Sequence, residues 1–114
     1  MAVLKKESGE VLATRLEIAA TTLQRTKGLV GSYSLPAGSG LAIERAKQVH
    51  TLFMRYAIDI VFADRDMRVL HVVHGMPPWR VTRWVARARW ATELPSGAAR
   101  DLEPGQRLIL ERPA

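Results

Sequence analysis

The sequence predicts a mainly β domain with an α+β tendency, a small barrel-like or rolled, mostly antiparallel sheet that carries two short helices. Three observations predict it. The stretch Gln48–Asp66, QVHTLFMRYAIDIVFADRD, alternates apolar and polar positions, with His50, Leu52, Met54, Tyr56, Ile58, Ile60 and Phe62 on one side and Thr51, Arg55 and Asp59 on the other. A side-chain period of two belongs to extended strand with one buried face. Short strand-like runs recur at close intervals between turn signals, and helix signals are confined to two short segments.

Taken in order, Val3–Lys5 and Val11–Ile18 read as two strands around a Ser8-Gly9 turn. A helix follows, capped by Thr21 or Thr22, spaced by Leu23, Thr26, Leu29 and Val30 and ended by Gly31. Ser32–Gly40 is loop by composition. Leu41–Glu44 is a strand, and the central stretch comes after a polar break at Ala46–Gln48. Asp64–Met67 forms a tight turn into a returning strand, Arg68–His74. The ladder stops in Gly75–Trp79, where two adjacent prolines lack N–H donors. Arg80–Trp90 fits neither period cleanly and reads as irregular. Ala91–Leu94 is a strand, Gly97–Leu102 a short helix capped by Ser96, Pro104-Gly105 a turn and Gln106–Glu111 a last strand with Leu108 and Leu110 on one face.

A chain of 114 residues is one domain, residues 1–114, with room for a single core. Its hydrophobic share of 47% and charged share of 25% exclude disorder. No apolar run approaches the ~20 residues that span a bilayer. The start, MAVLKKESGE, carries no apolar region of the kind a signal peptide needs. Without cysteine there is neither disulfide nor thiolate chemistry, and cytoplasmic residence is the expectation. A net charge of +6 favours anionic partners and gives non-specific affinity for nucleic acid without any readout.

The candidate site residues fall into two groups. Thr51, Arg55 and Asp59 form the compact polar cluster. Arg55 and Asp59 would stand about 13 Å apart on a straight strand, so they meet only if the chain bends at Tyr56-Ala57. In that case Arg55 and Thr51 build an anion site that Asp59 orients; otherwise Asp59 caps the bend through local backbone amides. His50 reads as a hydrogen-bonded core histidine, with an acid–base role as the alternative. His71 and His74 face opposite sides of a strand, so no metal motif arises. The second group lies in Trp79–Trp90, where Trp79, Trp84 and Trp90 alternate with Arg80, Arg83, Arg87 and Arg89. Such a segment packs a loop onto the barrel, docks a protein partner or stacks nucleobases. Phosphate-cradling glycine loops, nucleophile elbows and paired carboxylates are all missing, so neither a cofactor nor a metal is expected and enzymatic activity is disfavoured.

The segment VHTLFMRYAIDIVFADRD, together with Arg25, Gly28 and Leu29 of LQRTKGL, the strand Leu41–Glu44, and TELPSG followed by Leu102, Pro104 and Gly105, resembles the domain-of-unknown-function family numbered 192. The resemblance runs from about Ala13 to Glu111. It implies a compact, mainly β domain with short helices, and it supplies no catalytic residue. Ala57 stands where the family usually has proline and Met67 where it usually has glycine, so a turn of somewhat different shape is expected at Met67. The reading that follows is a binding or accessory module. It engages an anionic ligand or an acidic protein surface through Thr51, Arg55, Asp59, His50, Trp79, Arg80 and Arg87. The alternatives are an enzyme using Arg55 with His50 or Asp59, and weak nucleic-acid binding.

Overall fold

The computed structural model describes residues 1–21 and 34–113 of the chain. Among the described residues seven strands make one sheet: β1 (Ala2–Lys6), β2 (Val11–Ala19), β3 (Ser39–Glu44), β4 (Ile58–Ala63), β5 (Val69–Met76), β6 (Trp90–Pro95) and β7 (Leu108–Glu111). They lie in the order β5-β4-β6-β3-β2-β1-β7. Neighbours are antiparallel except β2 and β3, which run parallel with Arg15 opposite Ser39 and Ala19 opposite Ile43. A parallel pair needs a crossover connection where an antiparallel pair can be joined by a tight hairpin.

The sheet curls until its two outermost strands approach each other. Arg68, just before β5, forms a bridge with Arg107, just before β7. Val69 N–H donates to Gln106 O at 2.8 Å and Leu108 N–H donates to Met67 O at 2.8 Å, closing a seam at one end of a half-barrel. Register shifts in the β1–β2 and β4–β5 pairs add the local twist that rolling requires.

Alternation places side chains on two buried faces. Leu4, Leu16, Val61, Leu94 and Leu108 fill the inside of the roll. Ile58, Ile60, Phe62 and Ala91 point outward and are covered by Val49, Met54, Val85 and Ala88. All six residues of β4 are therefore buried, and the single buried face expected from the alternation is corrected to two. At Gly40 the inner side chains of the two flanking strands meet: a Cβ there would lie 2.8 Å from Leu94 Cδ2, 2.9 Å from Leu16 Cδ1 and 3.0 Å from Glu93 O. Both leucines are fully buried and have little room to retreat. Gly40→Ala should therefore cost about 1–3 kcal/mol of stability, read as a lower urea midpoint at unchanged m-value.

The mainly β, rolled architecture agrees with the expectation, but the helices do not. The segment Gly97–Leu102 is a run of separate turns, with Ala98 N–H bonded to Pro95 O and Leu102 N–H bonded to Ala99 O. The N–H bonds of Ala98, Arg100 and Leu102 all reach back three residues, so no i→i−4 ladder forms, and Asp59 accepts the amides of Gly97 and Ala99. The other expected helix, with Arg25, Gly28 and Leu29, falls almost wholly outside the described residues; among those there is no helix.

Residues 50–57 are not strand either, despite their period of two. Met54 N–H bonds back to Thr51 O, Phe53 takes a left-handed φ of 66°, and the chain bends at Arg55-Tyr56 before β4 begins. At Met67 φ is 62°. The left-handed turn that glycine would favour is thus kept with a side chain on it, and Met67 packs partly against the inner core.

Candidate functional site

The prolines that end β5 leave the chain beyond Met76 without a ladder partner, and Thr51 supplies the missing bonds. Its N–H donates to Arg80 O at 2.8 Å and its carbonyl accepts from Trp79 N–H at 2.9 Å. Thr51 Oγ1 donates to Pro77 O at 2.7 Å and accepts from Arg80 N–H at 2.9 Å. Further along, Thr82 Oγ1 accepts from Val49 N–H at 3.0 Å and donates to Arg83 O at 3.0 Å. Lys47 Nζ donates to Ala86 O at 2.7 Å and Ala88 O at 2.9 Å. Two loops, 45–57 and 77–89, are thereby zipped together over the outer face of the sheet. The second is irregular, as expected, with one isolated bridge between Val81 and His50.

Zipping brings aromatic rings to the surface. Phe53 and Trp79 both hold left-handed backbone, with φ of 66° and 65°. For bulky residues this conformation costs about 1–3 kcal/mol each. Their rings pack on each other at 4.8 Å between centroids and 59° between planes. Yet Phe53 remains 64% exposed and Trp79 56%, with Val81 and Trp84 exposed as well. The same loops contain Arg45, Lys47, Arg55, Arg80, Arg83, Arg87 and Arg89, and no acidic residue occurs between Glu44 and Asp59 or between Asp66 and Glu93. The two loops thus carry exposed apolar rings and several cations with no acidic residue in either loop, a composition suited to burying a partner's apolar group while pairing its carboxylates.

Asp59 lies elsewhere. It is fully buried on the inner side of β4. Oδ1 accepts from Gly75 N–H at 2.8 Å, and Oδ2 accepts from Gly97 N–H at 3.0 Å and Ala99 N–H at 2.9 Å. Its role is to tie the end of β5 and the turns after β6 to the central strand. Arg55 is exposed, and no ion pair joins it to Asp59 among the described residues. His50 is exposed rather than in the core, because the bridge with Val81 turns it outward; its Nδ1 accepts from Leu52 N–H at 3.2 Å. Burial beside Phe62 and the positive charge of Arg83 lower the pKa of His71.

The structure thus gathers His50, Thr51, Trp79 and Arg80 in one place, with Arg87 exposed in the turn that Lys47 fastens. It separates them from Asp59. Two residues escaped the sequence reading. Phe53 gives no signal, since left-handed backbone at phenylalanine has no local sequence mark. Glu93 did give one, as a lone charge in the otherwise uncharged strand WATELP. It sits on the outer face of β6 opposite Leu41 and Ile60, 2% exposed, and its Oε2 has no hydrogen-bond partner among the described residues. Desolvation pushes its pKa up to about 8. Among the described residues no group of His, Asp and Glu could hold a metal ion, and no helix is long and apolar enough to cross a membrane.

Comparison with known proteins agrees with this architecture. The model of the DUF192 family, described as an uncharacterized ACR, matches residues 3–110. The UPF0127 protein PH1112 of Pyrococcus horikoshii is 38% identical over 56 residues, which is 49% of this chain and 48% of that protein. The matched part of the chain therefore spans about half the length of that relative. Among solved structures, a Novosphingobium aromaticivorans protein of unknown function superposes with a TM-score of 0.80 at 22% identity, over 95% of this chain and 82% of its own. A Sinorhizobium meliloti protein provisionally named a transcription regulator superposes with a TM-score of 0.77 at 20% identity, over 95% of this chain and 90% of its own. At such identities the likeness is one of fold.

Proposed function

The chain belongs to the DUF192 family, and from that premise we propose that it is a binding module whose aromatic and arginine face docks an acidic segment of a partner protein. The observation that carries the reading is the Phe53–Trp79 pair. Both residues hold left-handed backbone, and their two large rings stay exposed while packing on each other. The basic surround supplies the complementarity that selects carboxylates. A binding role is also supported over an enzymatic one because the hydroxyl of Thr51 and the carboxylate of Asp59 already bond backbone groups.

Peptide-display selection on the immobilised protein tests this. The selected peptides should be rich in Asp and Glu around one or two apolar anchors. Phe53→Gly and Trp79→Gly should each weaken them at least ~10-fold, while thermal stability holds or rises because glycine relieves the left-handed strain. Selected peptides without acidic bias, or full affinity in both variants, would remove the proposal. Single-stranded RNA is the rival occupant, since exposed aromatics beside arginines also stack bases. Tight RNA binding that collapses as salt rises, with no acidic peptide selected, would transfer the face to that reading.

A further inference from the structure

The seam that closes the half-barrel encloses a second, unrelated feature. A pocket of about 210 Å³ opens there, lined by Lys6 at the end of β1, Glu7 and Ser8 in the turn after it, Arg68 before β5, and Gln106 and Arg107 before β7. Three chain segments that are distant in sequence form its wall, and backbone bonds fix them. Glu7 N–H donates to Arg107 O at 3.2 Å, Gly105 N–H to Val69 O at 2.8 Å and Val69 N–H to Gln106 O at 2.8 Å. The volume is several times that of one water molecule, roughly 30 Å³.

The lining is rich in donors, and Arg68, Gln106 and Lys6 are each held by one bond. Arg68 Nη1 donates to Gly105 O at 3.0 Å, which orients the guanidinium and leaves most of its N–H groups available. Gln106 Oε1 accepts from Glu103 N–H at 2.9 Å, so its NH₂ remains a donor. Lys6 Nζ lies 2.9 Å from Glu10 Oε2, with the lysine side chain only 15% exposed. Arg107 has no acidic partner among the described residues. The Ser8 hydroxyl adds one more donor. Lys6 is paired with Glu10, so the charge balance of the lining rests on the Arg68 and Arg107 guanidiniums against one carboxylate, Glu7, while Asp64 Oδ1 accepts from the backbone N–H of Arg68.

We infer that this seam pocket is an anion site that takes a phosphate group, free or esterified to a small molecule. Two guanidinium groups, an amide and a hydroxyl line one pocket from three fixed segments, with the Lys6 ammonium shared with Glu10, and such donors suit the multiple acceptor oxygens of phosphate. The site shares no residue with the aromatic face and does not depend on its reading.

Titration of the ¹⁵N-labelled protein with inorganic phosphate, and separately with O-phosphoserine, tests the inference against a chloride control of equal ionic strength. Saturable shifts are expected at the amides of Ser8, Gly105, Gln106 and Arg107. Arg107→Ala should weaken binding at least ~10-fold. Glu7→Gln should strengthen it severalfold by removing the carboxylate of the lining, an effect that loss of folding cannot imitate. Arg87→Ala, on the aromatic face, should leave it unchanged. Equal affinity for the two probes would mean that the phosphate group alone is recognised, and tighter O-phosphoserine would mean that an ester body fills the remaining volume. Absence of saturation beyond the chloride control, or equal affinity in wild type, Arg107→Ala and Glu7→Gln, would overturn the inference.

Discussion

Asp59→Ala should lower the unfolding free energy by about 3–6 kcal/mol, a large share of the 5–15 kcal/mol typical of a domain. The carboxylate accepts three backbone N–H bonds in a position with no solvent access. Hydrogen bonds to a charged acceptor contribute about 1.5–3 kcal/mol each, and each amide left buried without a partner costs about 1–3 kcal/mol. Asp59→Asn should fall between wild type and the alanine variant. Its amide keeps one acceptor and turns an N–H₂ donor toward the amides on the other side. Urea denaturation reads the magnitude, and native-state hydrogen exchange reads the location. The amides of Gly75, Gly97 and Ala99 should lose protection in Asp59→Ala before those of β1 and β2. A loss below about 1 kcal/mol, or uniform loss of protection, would refute this account of Asp59 as the tie between β5 and the turns after β6.

The same residue marks how far the sequence could be read. Its bonding to backbone amides was foreseeable from residue type, since a short carboxylate at a bend accepts N–H bonds. Its partners were not, because they lie 16, 38 and 40 residues away. Strands were legible wherever apolar runs are bounded by turn residues, as in β1, β2, β4 and β6, and β7 was readable from Leu108 and Leu110. Only the closing bonds at Arg68 and Arg107 reveal the seam that rolls the sheet, and backbone bonds leave no trace in side-chain pattern. The false strand at His50–Tyr56 has a similar cause. Thr51 and Met54, three apart, are both buried because two loops fold over the outer face, and the apolar alternation of Leu52, Met54 and Tyr56 has the period of a strand without belonging to one. The aromatic face was legible as a composition of Trp and Arg, while its preorganisation rests on two φ angles that no local residue preference favours.

Glu93 carries the second large effect, and it is one of pH. In the unfolded chain its carboxyl ionises at its ordinary value of 4.5; in the folded protein desolvation holds the proton on until about pH 8. Between those values unfolding releases a proton, so stability falls as pH rises, by about 1.4 kcal/mol for each pH unit attributable to this group. The effect is absent below the unfolded pKa and complete above the folded one, with a total on the order of 3–5 kcal/mol. Glutamine has nearly the same shape and cannot ionise, so Glu93→Gln should be close to wild type in stability near pH 4 and more stable by a few kcal/mol near pH 9. Other titrating groups contribute equally to both proteins, which makes the difference between their urea midpoints, followed from pH 4 to 9, the quantity to measure. Curves that run parallel across that range would mean that the Glu93 carboxylate finds a partner when it ionises. Curves that diverge as expected would establish that the outer face of the sheet, between Leu41 and Ile60, holds a neutral carboxylic acid at pH 7.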